Sequence, residues 1–118
     1  MFELSVEDTF HAAHALRGYE GPCENLHGHT FKVQVFAQGN KLNSLGLMID
    51  FKELKLKLSK VIGAFDHKLL NDIRPFDKEN PSSENLAKEI YSKLKGKLPT
   101  IGKVTVWESP TSSASYYE

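Results

Sequence analysis

Three histidines and one cysteine lie close together near the start of the chain: His14, Cys23, His27 and His29. Imidazole and thiolate groups are common protein ligands of zinc. One residue separates His27 from His29, so on a β-strand both side chains project from the same face. His14 lies on the apolar parity of the alternating segment from Phe2 to His14. An antiparallel hairpin of these segments therefore predicts three imidazoles around one metal ion, the ligand number of a zinc centre with an open position.

Cys23 is the only cysteine of the chain, so no disulfide can form within it. It lies in a polar stretch that contains glycine and proline, and this favours a reactive thiol over a packed one. Two roles remain open on the residues alone. Cys23 can close a structural site as a fourth metal ligand, or it can stay off the metal as a base or nucleophile. His11 has the opposite parity to His14, and we expect it to be a surface residue.

Two further groups of side chains are candidates for chemistry. Glu108 shares its parity with Val104 and Val106, so it ends an apolar row of a predicted strand. A carboxylate there needs a hydrogen-bond donor, from the protein or from the N–H groups of a bound heterocycle; the alternative is an exposed strand end. Asp66 and His67 are adjacent, which suits an acid–base pair, although His67 could equally cap the end of a helix.

The elements that position these residues follow from the hydrophobic periodicity. Spacings of three and four predict an amphipathic helix from Asp50 to about Gly63, with Asp50 as its N-cap. Capping residues and a proline at 80–85 predict the start of a second helix, which Gly96 ends. The predicted strands are 2–14, 27–39 and a final strand at 102–108, with a further strand piece at 47–49. This order predicts an α+β domain with an antiparallel sheet covered on one face by two helices.

Length and composition limit the class of protein. A chain of 118 residues and 13.3 kDa fits a single domain, residues 1–118. Lys plus Arg equals Asp plus Glu at 15 each, so the net charge favours neither nucleic acid nor an acidic membrane as a partner. The sequence has no apolar stretch of about 18 residues and no signal-peptide pattern. We therefore expect a cytoplasmic protein. The lysines of the first helix are expected to form a solvated face, with attraction of a phosphate as the alternative.

The motifs, taken in order, resemble the 6-pyruvoyltetrahydropterin synthase family over nearly the whole chain. The resemblance rests on Phe10-His11-Ala12-Ala13-His14, Cys23 with His27-Gly28-His29, Gly46-Leu47-Met48-Ile49-Asp50-Phe51, Asp66-His67, Asn80-Pro81-Ser82-Ser83-Glu84 and Glu108. It is closest to the bacterial branch of 6-carboxy-5,6,7,8-tetrahydropterin synthases. Only three residues separate Cys23 from His27, whereas pyruvoyl-forming relatives carry a longer insertion there. The implied fold is the tunnelling fold (T-fold), whose subunits join their sheets into a barrel, and the implied assembly is a homo-hexamer, a dimer of trimers.

The resemblance also implies a role for each matching residue. The implied roles are zinc ligation for His14, His27 and His29, proton abstraction for Cys23, acid–base transfer for His67 with Asp66, pterin anchoring and proton transfer for Glu108, and substrate contact for Ser82. Ser82 stands where many members have threonine, a change that keeps the hydroxyl. Glu24 lies where one divergent subgroup uses glutamate as its base, but with Cys23 present we regard Glu24 as incidental.

The implied reaction converts 7,8-dihydroneopterin triphosphate into 6-carboxy-5,6,7,8-tetrahydropterin and releases triphosphate and acetaldehyde. It belongs to queuosine (7-deazapurine) biosynthesis, consumes water, and needs Zn²⁺ but no redox cofactor. Two alternatives remain at this point. One is a pyruvoyl-forming synthase of the same family, and the other is a non-catalytic, zinc-stabilised module in which Cys23 closes the metal site.

Overall fold

The computed structural model of the protein describes residues 1–21 and 25–118. Two long strands, β1 (Phe2–His14) and β2 (His27–Gly39), form an antiparallel hairpin. Its register pairs Phe2 with Gly39 at one end and His14 with His27 at the other. The hairpin predicted from the alternating sequence is therefore confirmed, and it brings the histidine-bearing ends of both strands side by side.

Two helices and three shorter strands complete the domain. They are α1 (Phe51–Ile62), β3 (Lys68–Leu69), α2 (Ser83–Lys95), β4 (Ile101–Ser109) and β5 (Ser112–Tyr116), with a short 3-10 helix, Leu70–Asp72, after β3. The strand order in the sheet is β3-β1-β2-β4-β5, and only the short β3 runs parallel to its neighbour. The predicted α+β architecture, with two helices against a mainly antiparallel sheet, is confirmed.

The sequence-based strand assignment was wrong in two places. Residues 47–49 form bends rather than a strand. The strand near 102–108, now β4, is not the last one, because β5 follows it and pairs with it in antiparallel orientation. β5 reads Ser-Ser-Ala-Ser-Tyr, and such a run lacks the alternation of apolar residues from which a half-buried strand is recognised.

The core lies between the helices and one face of the sheet. Every second residue of β2 from Phe31 to Ala37 is buried, as are the apolar positions of α1 and α2 that face the sheet. The rings of Phe10 and Phe31 stack with centroids 5.0 Å apart, directly below the histidines. The side chains of Asp50 and Ser82 accept hydrogen bonds from backbone N–H groups at the starts of α1 and α2, so both are N-caps. Neither described helix is long and apolar enough to cross a bilayer.

Candidate metal centre and active site

Three imidazoles meet at the end of the hairpin. His14 pairs with His27 across the two strands, and His29 lies two residues further along β2 on the same face. The ring centroids are 4.6 Å apart for His14 and His27, 4.7 Å for His27 and His29, and 5.2 Å for His14 and His29. His14 is fully buried, whereas the side chain of His29 is 26% exposed. The predicted convergence of the three rings is therefore present in the structure.

Main-chain carbonyls orient two of the three rings. Nδ1 of His14 lies 2.7 Å from the carbonyl oxygen of Pro81, and Nδ1 of His27 lies 2.6 Å from that of Asn25. Because a carbonyl oxygen only accepts, each Nδ1 must carry the proton, and each neutral ring then has its lone pair on Nε2. The two Nε2 atoms are only 3.1 Å apart. Two facing lone pairs at this distance repel each other unless a cation or a proton lies between them.

Glu108 supplies a fourth donor atom. Its Oε1 lies 3.3 Å from Nε2 of His14 and 3.4 Å from Nε2 of His29, and the donor atoms of all four residues lie within 4.8 Å of one another. Ligand atoms of a tetrahedral zinc ion, with Zn–N distances of about 2.0–2.1 Å, are about 3.3–3.4 Å apart. Nε2 of His29 is buried and has no hydrogen-bond partner among the described residues. Three nitrogens and one carboxylate at this spacing fit a divalent metal ion.

Burial favours the metal-binding form of two of the histidines, His14 and His29. Burial lowers the pKa of His14, an effect that outweighs the opposing influence of the Pro81 carbonyl and of Glu108. Burial also lowers the pKa of His29, again against the influence of Glu108. A lower pKa keeps the imidazole neutral, and only the neutral ring has a free nitrogen for a metal ion.

Asp66 and His67 form an acid–histidine pair, as their adjacency in the sequence suggested. Oδ2 of Asp66 lies 3.0 Å from Nδ1 of His67, and Oδ1 accepts a hydrogen bond of 2.9 Å from the backbone N–H of His11. That hydrogen bond is the main cause of a lowered pKa of the Asp66 carboxyl, to which the His67 ring also contributes. His67 has a φ of 58°, an unusual value for a residue other than glycine, and its side chain is 76% exposed.

His11 lies beside this pair and has more contacts than a simple surface residue. Its ring is exposed, as expected, with its centroid 5.6 Å from that of His67 and its Nδ1 2.9 Å from the hydroxyl of Thr30. A cavity of about 530 Å³ is lined by His11, Thr30, His67 and the metal-site residue His29, among others. Its lining thus includes one residue of the acid–histidine pair, His67, and one of the candidate metal centre, His29. Sequence parity separated His11 from the metal ligands but could not show that its backbone holds Asp66.

Two predicted site residues need separate comment. Cys23 lies outside the described residues, so its choice between metal ligand and base stays a prediction. The Ser82 hydroxyl accepts the hydrogen bond of Asn85 N–H at 3.2 Å, as the N-cap of α2. Its predicted contact with substrate also remains a prediction. The carbonyl of Pro81, which orients His14, was not foreseen, because main-chain acceptors leave no signal in residue type.

The fold and the donor set together define an α+β domain that carries a candidate metal centre at one end of its sheet. Residues 3–118 match the family model described as 6-pyruvoyl tetrahydropterin synthase, and the chain belongs to this family. The predicted T-fold is thereby confirmed. Its solved neighbours include 6-pyruvoyl tetrahydropterin synthase of Caenorhabditis elegans, with a TM-score of 0.91 and 28% identity over 99% of this chain and 95% of that one.

Curated relatives carry more than one activity name. The 6-carboxy-5,6,7,8-tetrahydropterin synthase of Haemophilus influenzae is 33% identical, and the alignment covers 100% of both chains. The dihydroneopterin monophosphate aldolase of Pyrococcus furiosus is 35% identical over 85% of this chain and 83% of the relative. All of these names refer to pterins, and they differ in the reaction.

Proposed function

We propose that the protein is a zinc-dependent lyase that converts 7,8-dihydroneopterin triphosphate into 6-carboxy-5,6,7,8-tetrahydropterin, in queuosine (7-deazapurine) biosynthesis. The observation that carries this proposal is the convergence of His14, His27 and His29, with Nδ1 of His14 and of His27 each against a main-chain carbonyl and their Nε2 atoms 3.1 Å apart. The similarity to the Haemophilus influenzae synthase over the full length supports the carboxy-forming reaction.

Each residue of the site has one task in this proposal. Zinc bound by His14, His27 and His29 would act as a Lewis acid toward the hydroxyl groups of the substrate side chain, which makes the neighbouring C–H bond more acidic. Cys23 takes the proton from that carbon, and His67, oriented by Asp66, returns a proton elsewhere on the substrate.

The heterocycle is held by Glu108, which lies beside the histidines, and by Ser82. Glu108 accepts hydrogen bonds from the N–H groups of the pterin, and the Ser82 hydroxyl contacts the substrate. In the structure Glu108 lies beside His14 and His29. A glutamate can reach either position by rotating its side chain, so Glu108 could contact the pterin instead of the histidines.

The proposed reaction balances with water as the second substrate. Loss of triphosphate and cleavage of one carbon–carbon bond of the side chain release acetaldehyde, and the carbon left on the ring becomes the carboxyl group. No redox cofactor is required, because the reduction of the ring is matched by the oxidation of the side chain. We further propose that the protein acts in the cytoplasm as a homo-hexamer with active sites at subunit boundaries.

The decisive experiment identifies the products. The zinc-loaded protein is incubated separately with 7,8-dihydroneopterin triphosphate and with dihydroneopterin monophosphate, and the pterins are identified by mass spectrometry. We expect 6-carboxy-5,6,7,8-tetrahydropterin and an equal amount of acetaldehyde from the triphosphate. A pyruvoyl product would contradict the proposal and indicate a 6-pyruvoyl tetrahydropterin synthase. Cleavage of the monophosphate alone would contradict it and indicate a dihydroneopterin monophosphate aldolase.

A thiol experiment separates catalysis from a structural zinc site. Alkylation of Cys23 should abolish turnover while zinc stays bound, because the base is lost and the three imidazoles remain. Loss of zinc on alkylation would instead identify Cys23 as a ligand of a closed site.

His11→Ala is the matched control for His29→Ala, since both remove an imidazole near the end of the hairpin but only His29 contributes to the donor set. Zinc affinity should fall only in His29→Ala.

A further inference from the structure

Two asparagine side chains continue the edge of β1 beyond its last residue. Oδ1 of Asn71 accepts from Ala15 N–H at 2.9 Å, and Nδ2 of Asn71 donates to the Ala15 carbonyl at 2.9 Å. Asn80 makes the same reciprocal pair with Arg17, at 2.8 and 3.0 Å. The two side-chain amides therefore satisfy backbone N–H and C=O groups of Ala15, which directly follows β1, and of Arg17, which lies in the next turn.

The side chain of Arg17 connects the residues after β1 to residues 71–79 as well. The Arg17 guanidinium donates to the main-chain carbonyls of Phe76 at 2.7 Å, Glu79 at 3.1 Å and Asn71 at 3.3 Å. All three acceptors belong to residues 71–79. The residues directly after the proposed metal ligand His14, from Ala15 to Arg17, are thus held against a single segment of the protein.

The residues that directly follow this segment, Asn80 and Pro81, contact or support His14 itself. Pro81, whose carbonyl orients the His14 ring, follows Asn80 directly, and the Asn80 carbonyl accepts a hydrogen bond of 2.8 Å from Asn85 in the first turn of α2. His14, Arg17, Asn80 and Pro81 therefore form one closed circuit that is anchored on a helix. Loss of the Asn80 contacts would free the residue next to the carbonyl that accepts from His14, and loss of the Asn71 contacts would free the backbone directly after His14.

We propose that Asn71 and Asn80 are positioning residues, which fix the proposed metal ligand His14 on the Pro81 carbonyl by holding the backbone at Ala15 and Arg17. The inference rests on the proposed metal site. Loss of either side-chain amide removes none of the metal-donor atoms, but it should misalign them. Groups behind a metal ligand typically contribute about 10- to 100-fold to metal affinity, and we expect an effect of that size.

The test compares Asn71→Ala and Asn80→Ala with Asn43→Ala. Asn43 is the matched control, because its side chain accepts hydrogen bonds from Leu45 and Leu47 N–H in a turn that has no contact with the metal site. Zinc affinity is measured by competition with a chelator, and the visible spectrum of the Co²⁺-loaded protein reports ligand geometry. We expect weaker zinc binding by about 10-fold or more and an altered Co²⁺ spectrum in the first two variants only.

Isosteric variants keep the test valid if an alanine variant does not fold. Asn71→Asp and Asn80→Asp retain the acceptor for the backbone N–H but place a carboxylate against the carbonyl, so each should show the same defects in a folded protein. In an active enzyme these variants should lower kcat more than they raise KM. Wild-type zinc affinity and Co²⁺ spectrum in all folded variants would overturn the proposal. Since both readouts need no substrate, they would remain decisive even if the proposed reaction were wrong.

Discussion

At the scale of single residues, Glu108 is the side chain whose position decides how the metal centre is used. Its carboxylate belongs to the four-atom donor set of the structure, whereas the proposed reaction needs it on the pterin. Glu108→Gln keeps the size and removes the charge. We expect zinc affinity to fall by about tenfold, comparable to loss of a strong supporting group, and turnover to be lost. Glu7→Gln, which alters a carboxylate paired with Lys32, is the control for chelator competition. If zinc affinity is unchanged in Glu108→Gln, Glu108 does not support metal binding and acts only on the heterocycle.

The buried histidines also make the metal-free protein sensitive to pH. Burial lowers the pKa of His14 and of His29 in the folded state, while unfolded imidazoles take up protons near pH 6.5. The unfolded state then binds more protons, so the free energy of unfolding should fall as the pH decreases below about 6.5, by up to about 1.4 kcal/mol per pH unit for one fully affected histidine. The fall should end once the folded rings are protonated.

Urea unfolding of the metal-free protein between pH 5 and 8 measures this dependence. Stability should be nearly constant from about pH 7 to 8, where imidazoles are neutral in both states. His14→Leu removes the most buried of the rings and should flatten the curve at acidic pH. A stability that rises on acidification from pH 7 to 5 would contradict the assigned direction of both pKa shifts.

At the scale of elements, Ser82 has a structural task that must be separated from its predicted contact with substrate. Ser82→Ala removes the N-cap of α2 and should lower the free energy of unfolding by about 0.5–2 kcal/mol. Ser82→Asp keeps a capping oxygen and should restore stability. If the hydroxyl contacts the substrate, KM should be raised in both variants. Asp50→Ala removes the N-cap of α1 and should cost similar stability without a change in KM. A normal KM in Ser82→Asp would contradict the predicted contact with substrate and leave Ser82 only its role as the N-cap of α2.

The elements that sequence could predict are those with a regular apolar pattern. The long hairpin, both helices and the N-cap Asp50 follow from alternation, spacings of three and four, and capping residues. Pro81, predicted for the first turn of α2, instead precedes the N-cap Ser82. β3 has only two residues, too few for any periodicity, and the serine-rich β5 carries no apolar stripe. The convergence of the three histidines was predictable because two of them share a strand parity. The links from Asn71 and Asn80 to the residues after His14 span 56 and 63 positions, and no local pattern reports pairs so far apart.

At the scale of the whole molecule, the sheet ends in open edges. Among the described residues, β3 pairs with β1 only at Ala12 and Ala13, so the rest of this edge of β1 has no described strand beside it, and β5 forms the opposite margin of the sheet. Unpaired strand edges are ready to pair with strands of another chain. Edge-to-edge pairing of copies would extend the sheet toward a barrel, as the proposed hexamer requires.

The assembly can be tested through the concentration dependence of activity. Six copies of a 13.3 kDa chain amount to about 80 kDa, which light scattering after gel filtration distinguishes from a monomer or a trimer. If active sites lie at subunit boundaries, activity per chain should fall on dilution in parallel with the loss of the large species, because a site with one wall missing cannot enclose its substrate. Zinc should remain bound throughout, since all four donor atoms come from one chain. Full activity of a monomer would refute the shared site.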